Sequence, residues 1–427
     1  MAGGRGSRIS SVVSDVPKPM IRVCGKPILE YQIENLRRFG IVDITLVIGH
    51  LGDVVSEYFA DGAAFGVRIS YFAEDFPLGT AGALLKMDDL KEDFILLCGD
   101  IIFDVDFGRF ISFHKERKGL ATLLTHPNSH PYDSALIETE ILPPSRPGAM
   151  PSDSFRVLDW LNKEDERSFH KNRVNAGIEI ISPELLQIYK DGLLGKEVRE
   201  KVDLDRDILK PAITSGKIFA YDTPEYVKDM GTPDRLKDVE RDLKSGLVRA
   251  RNLKNKQKAV FLDRDGTLNE MSGFVAAPQQ LKMLPEAAEA VKLINKSGYL
   301  AIVVTNQPVI ARGDCDFCDL QLINNKMETE LGRGGAFLDA IYVCPHHTDR
   351  GFPGERADYK FACKCRKPEP GLLLEAARDF NIDLSESYMI GDSDSDVEAG
   401  RRAFLRGSIK IRRNSGEDLV SVLKDIL

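Results

Sequence analysis

The sequence has no apolar run long enough to cross a membrane. Its longest, such as Ile44–Ile48 and Ala301–Val304, are strand-sized, whereas a spanning helix needs about 20 residues. A signal-peptide core is missing too, because Gly3, Gly4 and Gly6 stand where an apolar segment would lie. Blocks of five or more basic residues do not occur, and 58 Lys plus Arg against 66 Asp plus Glu leave a net charge of −8. That balance argues against nucleic acid as the main partner. Seven cysteines are an odd number for a disulfide framework and suit a reducing cytoplasm. The chain has neither a Walker-type P-loop nor a Gly-x-Gly-x-x-Gly fingerprint, and no internal repeat. What remains is a 427-residue chain, 43 % hydrophobic and 29 % charged, with the composition of a soluble globular protein of two or three domains.

Two halves emerge from the hydrophobic pattern. In the first, Ile44–Ile48, Val67–Phe72 and Phe94–Cys98 read as strands. Between them Ile28, Leu29, Ile33 and Leu36, then Val54, Val55, Tyr58 and Phe59, recur at helical spacing. Such alternation predicts a mostly parallel sheet covered on both faces. The segment 140–155, with Pro143, Pro144, Pro147 and Pro151, reads as an irregular loop. The charged stretch Lys244–Lys258 reads as a solvated linker, after which a strand at Ala259–Leu262 restarts the pattern. The expected division is residues 1–248, a linker at 249–258, and 259–427.

Chemistry is densest in the C-terminal half. Ala259–Leu262 runs into Asp263-Arg264-Asp265-Gly266-Thr267, two carboxylates at the end of a strand, where open α/β sheets place their reacting groups. By itself Asp-Gly is also a common turn pair. Three further segments argue for a site. Ala301–Val304 ends in Thr305-Asn306-Gln307, Lys367-Pro368 supplies a cation in a turn, and Tyr388–Ile390 ends in Gly391-Asp392-Ser393-Asp394-Ser395-Asp396. Acid pair, hydroxyl, lysine and acid cluster, in that order, resemble the haloacid dehalogenase-like phosphohydrolase superfamily over residues 259–427. The resemblance implies Asp263 as nucleophile, Asp265 as general acid and base, and Thr305 and Lys367 as holders of the phosphoryl group. It also implies Mg²⁺ on Asp263, Asp265 (through its carbonyl) and Asp392, with Asn306, Gln307 and Arg366 near substrate. Asp396 matches the superfamily's second acidic position, and Asp394 reads equally well as a helix cap.

Cys344-Pro345-His346-His347 and Cys363-Lys364-Cys365 supply three thiols and an imidazole in two close pairs, a tetrahedral Zn²⁺ set. His347 reads as a bystander, and Cys315 and Cys318 as structural or incidental. Zinc would pin the loop Thr348–Ala362 and so hold Arg366 and Lys367 over the substrate. Heptose-bisphosphate and histidinol-phosphate phosphatases share such a loop. The run Asn306–Gly313 and the long loop through Gly351-Phe352-Pro353-Gly354-Glu355 look like the heptose group, except that Pro308 stands where that group has Ser.

The N-terminal half opens on Gly3-Gly4-Arg5-Gly6-Ser7-Arg8, then Pro17-Lys18-Pro19-Met20. Glycines let backbone N–H groups approach phosphates, and Arg8 and Lys18 add positive charge. Pro77–Gly82, Gly99-Asp100, Asn175-Ala176-Gly177 and Asp229–Pro233 follow in order. The set resembles the sugar-1-phosphate nucleotidyltransferases over residues 1–240. The resemblance implies Mg²⁺ on Asp100 and Asp229, nucleotide contacts from Gly3, Gly4, Gly6, Arg8, Lys18 and Gly79, and sugar contacts from Asn175 and Gly177. Lys163 would contact phosphate, although it sits in Asn-Lys-Glu. In that family the Gly-rich loop follows a buried first strand, for which a chain beginning Met1-Ala2-Gly3-Gly4 leaves no room. The expectation is that the start lies upstream of Met1.

The fold expected is therefore α/β with two Rossmann-like doubly wound domains, the first lacking its first strand and the second carrying a zinc loop. Val13–Met20 looks like the guanylyltransferases of heptose 1-phosphate. Together the halves suggest a cytoplasmic bifunctional enzyme. It would remove the 7-phosphate of heptose 1,7-bisphosphate, then join heptose 1-phosphate to GMP from GTP. Two alternatives remain open: a histidinol-phosphate or other small-phosphate phosphatase fused to a hexose-1-phosphate nucleotidyltransferase, or an N-terminal domain that only binds a nucleotide sugar. The sequence does not fix an oligomeric state.

Overall fold

The computed structural model describes residues 16–195, 200–271, 273–412 and 418–427. Gly3, Gly4, Gly6, Arg8 and the strand expected ahead of them lie outside the described residues. The chain forms two compact units. The first holds the chain up to His126 with Phe155–Trp160 and Asn175–Asn252; the second holds Pro127–Ser154, Leu161–Val174 and Leu253–Leu427.

The second unit is built on five parallel strands in the order Ala340–Cys344, Leu300–Asn306, Ala259–Leu262, Tyr388–Gly391, Gly407–Lys410. From Ala259–Leu262 the chain winds outward on one side, then returns and winds outward on the other. The reversal leaves a crevice at the carboxyl ends of the central strands. Every residue of Ala259–Leu262 is buried. Val260, Leu262, Ala301 and Val303 pack with the helices Ala287–Ser297, Phe317–Arg333 and Leu419–Ile426. Phe261, Leu300, Ile302 and Val304 pack with Gly371–Asp379 and Asp394–Arg402. Burial on both faces is why these strands read as unbroken apolar runs.

In the first unit the strands are of mixed direction, unlike the mostly parallel sheet expected. Ile218–Asp222 runs parallel to Ala121–His126, but Val174–Ile181 is antiparallel to Phe94–Leu97 and Tyr226–Asp229 is antiparallel to Ile101–Asp104. Parallel neighbours need a long crossover and antiparallel ones do not, so the helix-strand alternation of the first hundred residues was no guide to the later strands. Asp43–Ile48 and Arg68–Ala73 form a separate parallel pair. The helix Ile28–Arg38 sets Leu29 and Ile33 against Leu46, Ile48, Val55 and Phe59, while Leu36 reaches Phe103, Phe107 and Phe110. That is the 3.6-residue stripe doing its ordinary job.

Two local expectations change. The segment 140–155 is not all loop: strands Leu136–Leu142 and Ser152–Leu161 flank it, and only the proline-bearing residues 143–151 connect them. Proline excludes pairing where it stands, not in the alternating residues beside it. The charged stretch Lys244–Lys258 is not uniformly solvated. Leu247–Ala250 is helical, and Arg251, Asn252, Leu253 and Gln257 are buried. Within the first unit Asn252 Nδ2 donates to Asp104 Oδ1 at 2.6 Å, and within the second Asn381 Nδ2 donates to the Leu253 and Asn255 carbonyls, each at 3.1 Å.

Candidate functional site

Three strand ends and one loop of the second unit converge on one cluster. Asp263 follows Leu262 directly, and its N–H donates to the Ile390 carbonyl at 3.0 Å, so the backbone fixes where the carboxylate emerges. Lys367 reaches in from the loop after Cys363 and Cys365. Its Nζ lies 2.6 Å from Asp263 Oδ1, 2.5 Å from Asp396 Oδ1 and 2.7 Å from the Val304 carbonyl. Asn306 braces that lysine, accepting from Lys367 N and donating to Lys367 O, each at 3.0 Å. Thr305, at the end of its strand, is buried and accepts from Gln307 Nε2 at 2.9 Å.

Charge is concentrated here away from water. Burial pushes the Asp263 carboxyl up to about 6 in spite of the Lys367 ammonium, with Asp396 and Asp265 adding to the rise. Burial pulls Lys367 down, yet the carboxylates of Asp263 and Asp396 outweigh it and hold the ammonium above its ordinary value. Asp392 is raised by burial and by Asp396. Carboxylate oxygens of Asp263, Asp392 and Asp396 lie within 4.8 Å of one another. An oxygen-only set of this kind fits a hard divalent cation. Gly266 explains the Asp-Gly step: at φ +82°, an added Cβ would stand 2.1 Å from Asp392 Oδ2. Only glycine lets the turn approach that carboxylate.

The Asp265 side chain has its own set of donors. Arg264 grips both its oxygens at 3.1 and 3.0 Å, Asn269 Nδ2 donates at 3.0 Å and Gln307 Nε2 at 2.7 Å. Gln307 is buried, and its Nε2 donates to Asp265 and Thr305, so it braces the acid. Asp394 is exposed and pairs with Lys410, whereas Ser393 occupies the helix N-cap. Asp396, in the first turn, is buried and accepts from Ser393 N at 3.0 Å.

Cys344, His346, Cys363 and Cys365 offer donor atoms within 4.8 Å of one another. The Cys365 thiol is held down at about 4, first by the Cys344 thiol that hydrogen-bonds it and then by His346, whereas that same hydrogen bond and burial push Cys344 up. Three sulfurs and one nitrogen at this spacing fit tetrahedral zinc. His347 stays outside the set, and its Nδ1 accepts from Asp349 N. The loop beyond has its own brace. The buried Lys360 donates to the Asp349 carbonyl at 2.6 Å and pairs with Glu355, which accepts from Gly351 and Phe352 N–H. Arg366 Nη1 donates to the His346 carbonyl at 3.0 Å, tying the zinc loop to the residue before Lys367.

In the first unit, antiparallel pairing sets Asp229 opposite Ile101, and Met230 N donates to the Asp100 carbonyl at 2.9 Å. The two acids therefore share one end of a strand pair. Lys18 Nζ lies 3.0 Å from Asp100 Oδ2. Gln32, buried on its helix, donates to the Cys98 and Ile101 carbonyls at 2.9 and 2.8 Å and so holds the turn that carries Asp100. Gly79, at φ +86°, packs so closely that a Cβ would meet the Val202 carbonyl at 2.3 Å. Gly177 donates to Asn175 Oδ1 and accepts from Cys98 N. Lys163 belongs to the second unit, where it is half-exposed and pairs with Glu164.

Several residues were not found by sequence reasoning. Arg264 is fully buried between the two acids, and the only signal was its place between them. Arg235 Nη1, from the first turn of the helix Pro233–Lys244, grips Asp229 at 2.7 and 2.9 Å. Burial, and then the charge of Asp205, push Glu179 up to about 8, while burial and Asp203 push Asp205 up to about 7. Neither acid stands in a motif.

A doubly wound sheet with buried acids and a lysine at its switch point defines a phosphoryl-handling enzyme unit. The nucleotidyl transferase family model matches residues 1–246, and the HAD-hydrolase-like model matches residues 364–408. A D-glycero-beta-D-manno-heptose-1,7-bisphosphate 7-phosphatase of Rhodopseudomonas palustris is 37 % identical over 172 residues, which is 40 % of this chain and 91 % of that protein. The D,D-heptose 1.7-bisphosphate phosphatase of B. bronchiseptica, solved with magnesium and phosphate, is 30 % identical, covering 40 % of this chain and 98 % of its own, at a TM-score of 0.35. HddC from Yersinia pseudotuberculosis is 24 % identical, covering 57 % of this chain and 96 % of its own, at a TM-score of 0.44. The chain belongs to the nucleotidyl transferase family and, through its second region of similarity, to that of the heptose-bisphosphate 7-phosphatases.

Proposed function

We propose that the chain is a cytoplasmic bifunctional enzyme of nucleotide-heptose synthesis. Residues 259–427 carry the machinery that removes the 7-phosphate of heptose 1,7-bisphosphate. Residues 1–248 carry the machinery that joins heptose 1-phosphate to GMP, and 249–258 connect the two. The observation that carries the phosphatase assignment is the buried Lys367 ammonium bridging Asp263 and Asp396 at the end of the central strands.

Asp263 attacks phosphorus, the bond from phosphorus to O7 breaks, and Asp265 delivers a proton to O7. Water, deprotonated by Asp265, then attacks the aspartyl-phosphate and frees inorganic phosphate. Lys367 and Thr305 hold the phosphoryl oxygens, and Arg264, Asn269 and Gln307 keep the Asp265 carboxyl aimed. Asp263, Asp392 and the Asp265 carbonyl would hold Mg²⁺, which neutralises the phosphoryl charge when bound. Cys344, His346, Cys363 and Cys365 would hold Zn²⁺ as a structural ion.

In the transferase, a phosphate oxygen of heptose 1-phosphate attacks the α-phosphorus of GTP and pyrophosphate leaves. Lys18 faces the accumulating charge, and Asp100 and Asp229 would hold Mg²⁺. Gly79 lines the nucleoside, with Asn175 and Gly177 toward the sugar. In the phosphatase, Arg366 stands with Lys367 on the substrate side. The test is a substrate panel on the full chain. Heptose 1,7-bisphosphate should release one phosphate, with loss of turnover in Asp263→Asn, and GTP with heptose 1-phosphate should release pyrophosphate. Turnover with UTP alone would overturn the guanylyl assignment, and release of the 1-phosphate would overturn the 7-phosphatase.

A further inference from the structure

The second unit contains a hydrogen bond that spans 198 residues of sequence. His346 Nε2 lies 2.8 Å from the Gly148 carbonyl. Gly148 sits in the connection 143–151, within the stretch matched by the nucleotidyl transferase model, yet it belongs to the same compact unit as the zinc residues. The other imidazole nitrogen faces the thiols: Nδ1 is 3.2 Å from Cys365 Sγ and 3.5 Å from Cys344 Sγ.

The connection is seated, not merely nearby. Gly148 has φ +76°, and an added Cβ would meet Phe361 Cε1 at 2.7 Å and the Asp358 carbonyl at 2.8 Å. The Phe361 ring lies 4.4 Å from the His346 ring, centroid to centroid. One residue on, the Tyr359 hydroxyl donates to the Ala149 carbonyl at 2.9 Å. Both Tyr359 and His346 are buried.

We propose that Gly148 is a positioning residue for the metal centre: its carbonyl accepts the Nε2–H of His346, turns Nδ1 toward the thiols as the ligand atom, and makes zinc retention depend on a loop from the first half of the chain. A ligating histidine whose second nitrogen is held by a carbonyl keeps one tautomer and one ring orientation. Loss of such an outer partner costs about 10–100-fold in metal affinity. The proposal rests on the zinc assignment made above.

The test uses the full chain and two readouts, zinc release to a chromogenic chelator and the absorption bands of the cobalt(II)-substituted protein. Gly148→Val should speed zinc release about 10–100-fold and shift the cobalt bands. Tyr359→Phe, which loosens the same loop without a clash, should move both in the same direction by less. Gly192→Val is the matched control, a left-handed glycine with nothing within 4 Å of its added Cβ, and should move neither. Gly148→Val with unaltered zinc release and cobalt bands overturns the proposal. If that variant does not fold, unaltered release from Tyr359→Phe overturns it instead. A parent chain that takes up neither metal at the cluster overturns the zinc assignment and this inference with it.

Discussion

Replacing Lys367 with methionine tests the electrostatic logic of the phosphatase site. The ammonium stands 2.6 Å from Asp263 and 2.5 Å from Asp396, and is itself buried. At an effective dielectric of about 20, each contact is worth roughly 6 kcal/mol of Coulomb attraction. Desolvation of the three charges cancels much of that. Breaking a buried pair by removing one partner nevertheless costs about 3–5 kcal/mol, because the other charge stays behind unpaired. For a unit of some 200 residues that corresponds to a fall of roughly 10 °C in melting temperature. The deficit should shrink as pH falls toward about 6, since the Asp263 carboxyl without its lysine takes up a proton more readily and, once protonated, no longer needs the cation. In Lys367→Met/Asp396→Asn, part of the lost stability should return, while phosphate release stays about 10²–10³-fold down. Thermal melts at several pH values and a phosphate-release assay read both quantities. A single variant that melts with the parent chain, or releases phosphate at the parental rate, refutes the reasoning.

Asp100→Ala should abolish pyrophosphate release from GTP and heptose 1-phosphate while phosphate release from heptose 1,7-bisphosphate continues, as parallel assays on one preparation would show. Gly266→Ala should raise the Mg²⁺ concentration needed for phosphate release, because the added methyl displaces Asp392; titration of activity against Mg²⁺ checks it. Glu179→Gln addresses pH. A carboxyl raised from 4.5 to about 8 is protonated in the folded state and ionised in the unfolded state between those values. Its stabilising effect is complete below 4.5 and is lost as pH rises through 8, at up to about 1.4 kcal/mol per unit. The variant should therefore gain stability over the parent as pH rises from 5 to 8 and hold a constant gain above, measured by denaturant melts.

Much of the chemistry was legible because it sits where regular structure ends. Asp263, Thr305 and Asp392 each follow or close an apolar strand, and a strand's end is easy to see when both faces are buried. The cluster of Cys344, His346, Cys363 and Cys365 was legible from residue type and spacing alone. Contacts between distant segments were not. Nothing in local pattern says that Arg235 will close on Asp229, that Gln307 will serve Asp265, or that the tail of a charged stretch will bury Asn252 against Asp104. The connection 143–151 looked like a passive loop because its prolines forbid pairing. Its partners, Phe361 and Tyr359, lie two hundred residues further on. Strand direction in the first unit was missed for a related reason: antiparallel neighbours leave no crossover helix to read.

The second unit is interrupted in sequence, with residues 127–154 and 161–174 made long before the rest of that unit. At the ~5–20 residues per second of synthesis, roughly 10–50 s separate the appearance of Val174 from that of the last strand and helix. During that interval the chain around Gly148 lacks the residues it packs against, Tyr359 and Phe361. A ribosome that stops anywhere in between leaves these segments exposed for chaperones and proteases to find. The phosphatase unit is thus complete only when its last strand and helix have been made, although part of it is made long before.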